Sequence, residues 1–193
     1  MSNKLQKAAA NGQSDIVLSL LGSGIPVDDK DQQGATALHF AAYRGCTETA
    51  RILLDRGANV NNTNQNGYTP LMVATREGYS DTMRLLLDWG ADINAQSNDG
   101  MTPLMYAIVY APSADSVHLL LKRGADVNVK RSKNITALMY AASKDKLEVV
   151  SSLIEHGADV DSVNEENKSA QKIAEDLRHD DVAQLLKSSK NQE

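Results

Sequence analysis

Two short markers recur in phase along the chain, and nothing else in it limits the fold so tightly. Thr36-Ala37-Leu38-His39 returns as Thr69-Pro70-Leu71-Met72, Thr102-Pro103-Leu104-Met105 and Thr136-Ala137-Leu138-Met139, with a degenerate copy at Ser169-Ala170-Gln171-Lys172. The intervals are 33, 33, 34 and 33 residues. Gly57-Ala58-Asn59, Gly90-Ala91-Asp92, Gly124-Ala125-Asp126 and Gly157-Ala158-Asp159 keep the same register, and Gly24 is the matching glycine of the first unit. A period of this length belongs to stacked arrays, in which each unit buries its apolar face against its neighbours.

Each unit reads as a pair of short helices. Thr or Ser stands where an N-cap hydroxyl is wanted, and Pro70 and Pro103 follow at the first helical position. Small residues such as Ala41 and Ala42 then permit close approach between elements. Gly12, Gly45 and Gly78 mark the turn between helices, after which Ser14, Thr47 and Ser80 are expected to cap a second helix carrying Leu-Leu pairs. The glycine of each Gly-Ala-Asx stops that helix in the left-handed region. Gly34, Gly67 and Gly100 turn the linking segment, and Asn134 and Asn167 replace glycine there in later units. With one Phe and one Trp among 193 residues, the core is expected to rest mainly on Leu, Ala, Val and Ile.

On these residues the chain resembles the ankyrin-repeat family. Asp31-Gln32-Gln33-Gly34-Ala35-Thr36-Ala37-Leu38-His39 and Gly124-Ala125-Asp126-Val127-Asn128 are the fullest matches to its pattern. The resemblance implies an all-α solenoid of stacked helix-turn-helix units with short β-turn fingers, six repeats including two caps. The single domain 1–193 divides into an N-terminal cap at 1–30, full repeats at 31–63, 64–96, 97–130 and 131–163, and a C-terminal cap and tail at 164–193. Departures are the replacement of His39 by methionine at 72, 105 and 139, and one extra residue in the stretch from Val109 to Ser113. Pro112 in that stretch should end the first helix, as a tolerated insertion or as a loop shaped for a partner.

Chemistry is poorly represented. His39, His118, His156 and His179 are scattered without metal-ligand spacing, and Cys46 has no base beside it. No phosphate-cradling glycine loop is present, because eleven of the twelve glycines fall at the three repeat positions. An enzyme is therefore not expected, nor a metal or other cofactor. The formal charge of −5 argues against sequence-independent nucleic-acid binding. No apolar run reaches the roughly 20 residues that span a bilayer, so no membrane partner is expected. A lone cysteine and no signal-like stretch after Met1 point to the cytoplasm, with nuclear entry left open.

Function then falls to recognition by a protein or peptide partner, with the chain as a monomeric adaptor, scaffold or inhibitor. Two other readings stay open: a microbial effector acting on a host protein, and a stable array with no dedicated partner. By resemblance to the family, the concave surface is formed by finger tips and the exposed side of each first helix. The tips offer Gln33, Asn66, Tyr68, Asp99, Met101, Lys133 and Ile135; the helices offer Tyr43, Arg44, Arg76, Glu77, Val109, Tyr110 and Lys144. Tyr and Arg are favoured anchors because they join contact area to a polar handle. Trp89, whose repeat counterparts are polar, is a further candidate contact. The resemblance also makes Asn61, Asn94 and Asn128 candidates for hydroxylation, against a purely structural role in their turns. Lys122, Arg123, Lys130, Arg131 and Lys133 against Asp126 give one stretch a local charge of +4, while residues 159–181 carry −5.

Overall fold

The computed structural model describes residues 4–111 and 114–190. Among these residues six pairs of α-helices follow one another: α1 (Lys4–Ala10) with α2 (Ser14–Gly22), α3 (Ala37–Tyr43) with α4 (Thr47–Asp55), and α5 (Pro70–Glu77) with α6 (Ser80–Asp88). Then come α7 (Pro103–Tyr110) with α8 (Asp115–Lys122), α9 (Ala137–Ser143) with α10 (Leu147–Glu155), and α11 (Ala170–Leu177) with α12 (Asp180–Ser189). Each first helix packs on the first helices of adjoining pairs, and each second helix on the second, so the pairs stack as two parallel rows. The architecture is the expected all-α solenoid. Between pairs, β structure among the described residues is limited to single bridges, Arg131 with Ile135 and Val163 with Ser169, which close two of the fingers.

Local chemistry sets each element. The Thr69, Thr102 and Thr136 hydroxyls accept the backbone N–H of Met72, Met105 and Met139, each at 3.3 Å, and Ser169 does the same for Lys172. Ser14, Thr47 and Ser80 do not cap. The N-cap positions belong to Gln13, Cys46 and Tyr79, without a side-chain cap bond, and the hydroxyl residues sit one place inside the helix. Two of them work across repeats instead: Ser14 meets the Thr49 hydroxyl at 3.1 Å, and Thr47 meets Thr82 at 2.7 Å. Helix α7 ends at Tyr110 with Ala111 extended, as a residue before proline should be. Pro112 itself lies outside the described residues.

The core runs unbroken through the stack. Leu38, Leu53, Leu71, Leu86, Leu104, Leu120 and Leu138 are fully buried, with the alanine pairs between them. Methionine, rather than the expected isoleucine, supplies much of the remaining bulk, through Met72, Met83, Met101, Met105 and Met139. Unbranched methionine fills the irregular gaps between short helices more readily than a branched side chain. At the C-terminal end Asp176 holds Lys168 at 2.9 Å and Lys172 at 3.0 Å, a polar outer face on the last first-row helix.

His39 shows what the usual methionine position does when polar. Its Nδ1 accepts the Thr36 backbone N–H at 3.2 Å, and its Nε2–H donates to the Tyr68 carbonyl of the next unit at 2.8 Å. Gln6, its counterpart in the first unit, similarly donates to the Asp29 carbonyl at 2.7 Å. Burial pushes the His39 pKa below 6.5, the backbone bond to Tyr68 only partly opposing it. The folded state thus binds fewer protons than the unfolded chain once pH falls below about 6.5. Stability from this site is complete above that pH and declines as pH falls toward the depressed folded value. Chemical denaturation at pH 7.5 and 5.5 is expected to show lower stability at the acid value, and a smaller difference in His39→Gln.

The left-handed glycines separate two costs. Gly57 (φ +85) has open space where a Cβ would go, whereas at Gly67 (φ +74) it would stand 2.7 Å from the Asn98 backbone nitrogen. That nitrogen donates to the Asn66 carbonyl and ties adjacent fingers together. Gly57→Ala is expected to cost only the backbone penalty, about 1 kcal/mol, and Gly67→Ala about 2–4 kcal/mol, read from urea unfolding.

Candidate functional site

One position on each first helix, four residues after the capping Thr or Ser, is left partly exposed by the stacking: Phe40, Val73, Tyr140 and Ile173. Tyr106 holds the same position but is buried, because other tyrosines cover it. Its ring meets Tyr68 edge-on, with centroids 5.5 Å apart at 76°, and stacks on Tyr110 at 5.9 Å and 26°. The Tyr106 hydroxyl lies 3.3 Å from the Ser97 Oγ, and burial raises its pKa. These rings join a finger to the end of a helix and leave Tyr110 56% exposed.

Fingers and helices enclose a groove of about 280 Å³. Phe40, Val73, Met72 and Tyr106 form its floor, Asp31, Gln33, Ala35, Asn64, Asn66 and Tyr68 its finger wall, and Tyr43 and Arg76 its helical rim, with His39 also lining it. The fingers are held firmly. The Asp31 carboxylate accepts the backbone N–H groups of Gln33 and Ala35, both at 2.8 Å, and Asn64 accepts those of Asn66 and Tyr68. Gln65 N–H then donates to the Gln33 carbonyl at 2.9 Å, fixing one finger against the next.

Gln33, Tyr43, Asn66, Tyr68 and Arg76 all line this groove. Glu77 joins them indirectly, its carboxylate 3.1 Å from the Arg76 Nε. Arg44 is exposed beside Tyr43, and Val109 is half-buried against the core beside Tyr110. Further along, Lys133 and Lys144 are exposed, while Ile135 is half-buried against the core. Asp99 is exposed but engaged, its carboxylate accepting the Ser97 hydroxyl at 2.5 Å and lying 3.8 Å from the Arg131 guanidinium. Met101 is not available to a partner. At 4% exposure its thioether belongs to the core, and its own N–H and carbonyl are bonded to Ser97 inside the finger. Trp89 is 43% exposed at the end of α6, in the second row and apart from the groove.

Phe40, Val73, Met72 and Asn64 were not singled out from the sequence as groove residues. The signal was present in the shared register of Phe40, Val73, Tyr106 and Tyr140, one residue beyond the His or Met that enters the core. The +4 stretch is also less bare than its composition suggests. Arg123 pairs with Asp88 of the preceding unit at 2.8 Å, and Arg131 bonds the Tyr140 hydroxyl.

The three asparagines share a structural duty. Asn61 accepts the Asp92 N–H at 2.8 Å and donates to the Gly90 carbonyl at 3.2 Å. Asn128 repeats both bonds with Asp159 and Gly157, each at 2.9 Å, and Asn94 accepts the Asp126 N–H at 2.9 Å. Each side chain therefore clamps its unit to the next. Among the described residues no group of His, Cys, Asp and Glu is placed to hold a metal ion, and no helix is long and apolar enough to cross a membrane.

No curated protein sequence gives a significant match. A solved structure does: a chain in the complex of a predatory endopeptidase from Bdellovibrio bacteriovorus with an immunity protein is 25% identical, with a TM-score of 0.86 over 97% of this chain and 98% of that one. The family model for ankyrin repeats in three copies matches residues 5–97 and 104–193, nearly the whole length. The chain belongs to the ankyrin-repeat family.

Proposed function

We propose that this chain is a non-enzymatic binding module, a single monomeric domain that captures a protein or peptide partner in the groove between its fingers and first helices. The observation that carries the reading is the groove itself. It has an apolar and aromatic floor, a bonded and therefore preorganised finger wall, and a rim bearing Tyr43 and Arg76, with Tyr110 stacked on Tyr106 beside it. Preorganised walls reduce the ordering cost of association, and exposed Tyr and Arg above a desolvated floor have the make-up of an interface hot spot. A volume of about 280 Å³ suits one anchoring side chain; sites for small molecules run from about 300 to 1,000 Å³.

Among adaptor, scaffold and inhibitor, the structural neighbour favours the last. Its structure pairs an endopeptidase with an immunity protein, and the likeness extends over almost all of both chains. Inhibition by occlusion needs no chemistry from the module, only a rigid surface. On this reading the cytoplasm is where the partner would be met and held.

Affinity capture from cell extract, with mass-spectrometric identification, tests the groove. A Tyr43→Ala, Arg76→Glu, Tyr110→Ala variant is expected to lose the captured partner by at least tenfold, while Trp89→Ala retains it and circular dichroism shows both folded. Equal capture by the groove variant would move the site elsewhere. Loss on Trp89→Ala alone would place it on the second row of helices.

A further inference from the structure

Aromatic side chains are scarce in this chain and gather on one face. Of six tyrosines, one phenylalanine and one tryptophan, Phe40, Tyr43, Tyr68 and Tyr106 line the groove, and Tyr110 stacks on Tyr106 beside it. Two charged side chains line the same space, of opposite sign and both engaged. The Asp31 carboxylate is bonded within its own finger, and Arg76 to Glu77. Charge therefore favours neither an acidic nor a basic occupant. The polar groups left over are neutral. The side-chain amides of Gln33 and Asn66, on adjoining fingers, and the Tyr43 hydroxyl make no hydrogen bond among the described residues.

The backbone of the finger wall is already bonded. The N–H groups of Gln33, Gly34 and Ala35, and of Asn66, Gly67 and Tyr68, all donate within their own fingers. No strand edge is open there to a partner that binds by β-pairing. A helical segment bonds its backbone internally and offers the Gln33 and Asn66 amides no carbonyl. A polyproline II segment differs on each point. It has no internal hydrogen bonds, its carbonyls face outward, and its prolines bring no N–H in need of an acceptor. It completes a turn in three residues, about 9 Å, while packed helices stand about 8–10 Å apart. Successive turns thus meet successive units of the stack. Building on the groove reading, we infer that the occupant is an uncharged, proline-rich segment of the partner in this conformation. A proline ring seats on Phe40 and Val73 between the Tyr43 and Tyr68 rings, and carbonyls of the segment accept from the Gln33 and Asn66 amides. Grooves lined by aromatic side chains suit such segments because the segment arrives already extended and loses little freedom on binding.

Selection of a phage-displayed random dodecapeptide library on the intact chain tests this. The expected result is enrichment of uncharged peptides carrying two prolines three residues apart. A synthetic version should hold its affinity within about twofold as salt rises from 50 to 300 mM, and lose about tenfold on a Gln33→Ala, Asn66→Ala variant. Both positions are exposed, so that variant keeps the fold, which circular dichroism checks. Enrichment of charged or proline-free peptides, affinity that falls steeply with salt, or no enrichment at all overturns the inference. The same peptides measured on Tyr43→Ala, Arg76→Glu separate the two readings. Proline-free peptides that this variant no longer binds leave the groove standing and remove only the proline-rich partner. Proline-rich peptides that it binds unchanged remove the groove, and the inference with it.

Discussion

Contact between successive first helices, made possible by alanine, is what everything else in this molecule rests on. Helices of seven to ten residues are too short to persist alone in water. Each therefore exists because its neighbours cover it. Ala41, Ala42, Ala74, Ala107, Ala141 and Ala142 are wholly buried, so backbones approach closely and the leucines alongside them close into one continuous core. At the register shared by Ala41, Ala74, Ala107, Ala141 and Ala174 a larger side chain would open the stack and expose the apolar faces of adjoining units together, whereas the next position also takes Thr75 and Ile108. Stability in such an array is shared between units and their interfaces.

Polar bonds do a different job, which is to set how units are aligned. Thr47 to Thr82, His39 to Tyr68, Gln65 to Gln33, and Asn61 and Asn128 to the following Gly and Asp all run from one unit to the next. Apolar contact is non-directional and would tolerate small slides between helices. Hydrogen bonds with defined donors do not. A recognition surface assembled from three or four units needs that alignment, because its two walls come from different parts of each repeat. The finger wall is fixed by Asx bonding at Asp31 and Asn64, the floor by helix stacking, and the groove is where the two systems meet.

Much of this was written in the residues because it depends on local backbone demands. A positive φ asks for Gly or Asn, and Gly34, Gly67, Gly100, Asn134 and Asn167 all adopt one. A bare N–H at a helix start asks for a hydroxyl, and four of the five expected residues in that register answer it directly, with Thr36 bonded to His39 instead. What could not be read depends on lateral neighbours about 33 residues away. Ser14 and Thr47 look like caps in sequence, but a glycine in the left-handed region sets the chain one residue later, and their hydroxyls turn to the adjoining helix. Arg123 seemed free until Asp88 of the preceding unit was set beside it. Met101 shares a register with Ala35, Tyr68 and Ile135, yet its side chain alone among them is fully withdrawn. Register gives the position and not the direction in which a flexible side chain settles.

That distinction bears on how a repeat protein acquires specificity. Positions that the fold fixes, such as the capping Thr or Ser, the left-handed Gly or Asn and the first buried alanine of each pair, recur from unit to unit because each unit faces the same physical problem. Positions with no such duty differ: Tyr43, Arg76, Val109 and Ser143 share one register, and Arg44, Glu77, Tyr110 and Lys144 the next. Variation there does not disturb the stack, since these side chains stand at or near the ends of the first helices, outside the fully buried core. The face is therefore free to differ in charge from the body that carries it. Whatever binds here meets a rigid scaffold whose selectivity resides in a few side chains at its rim.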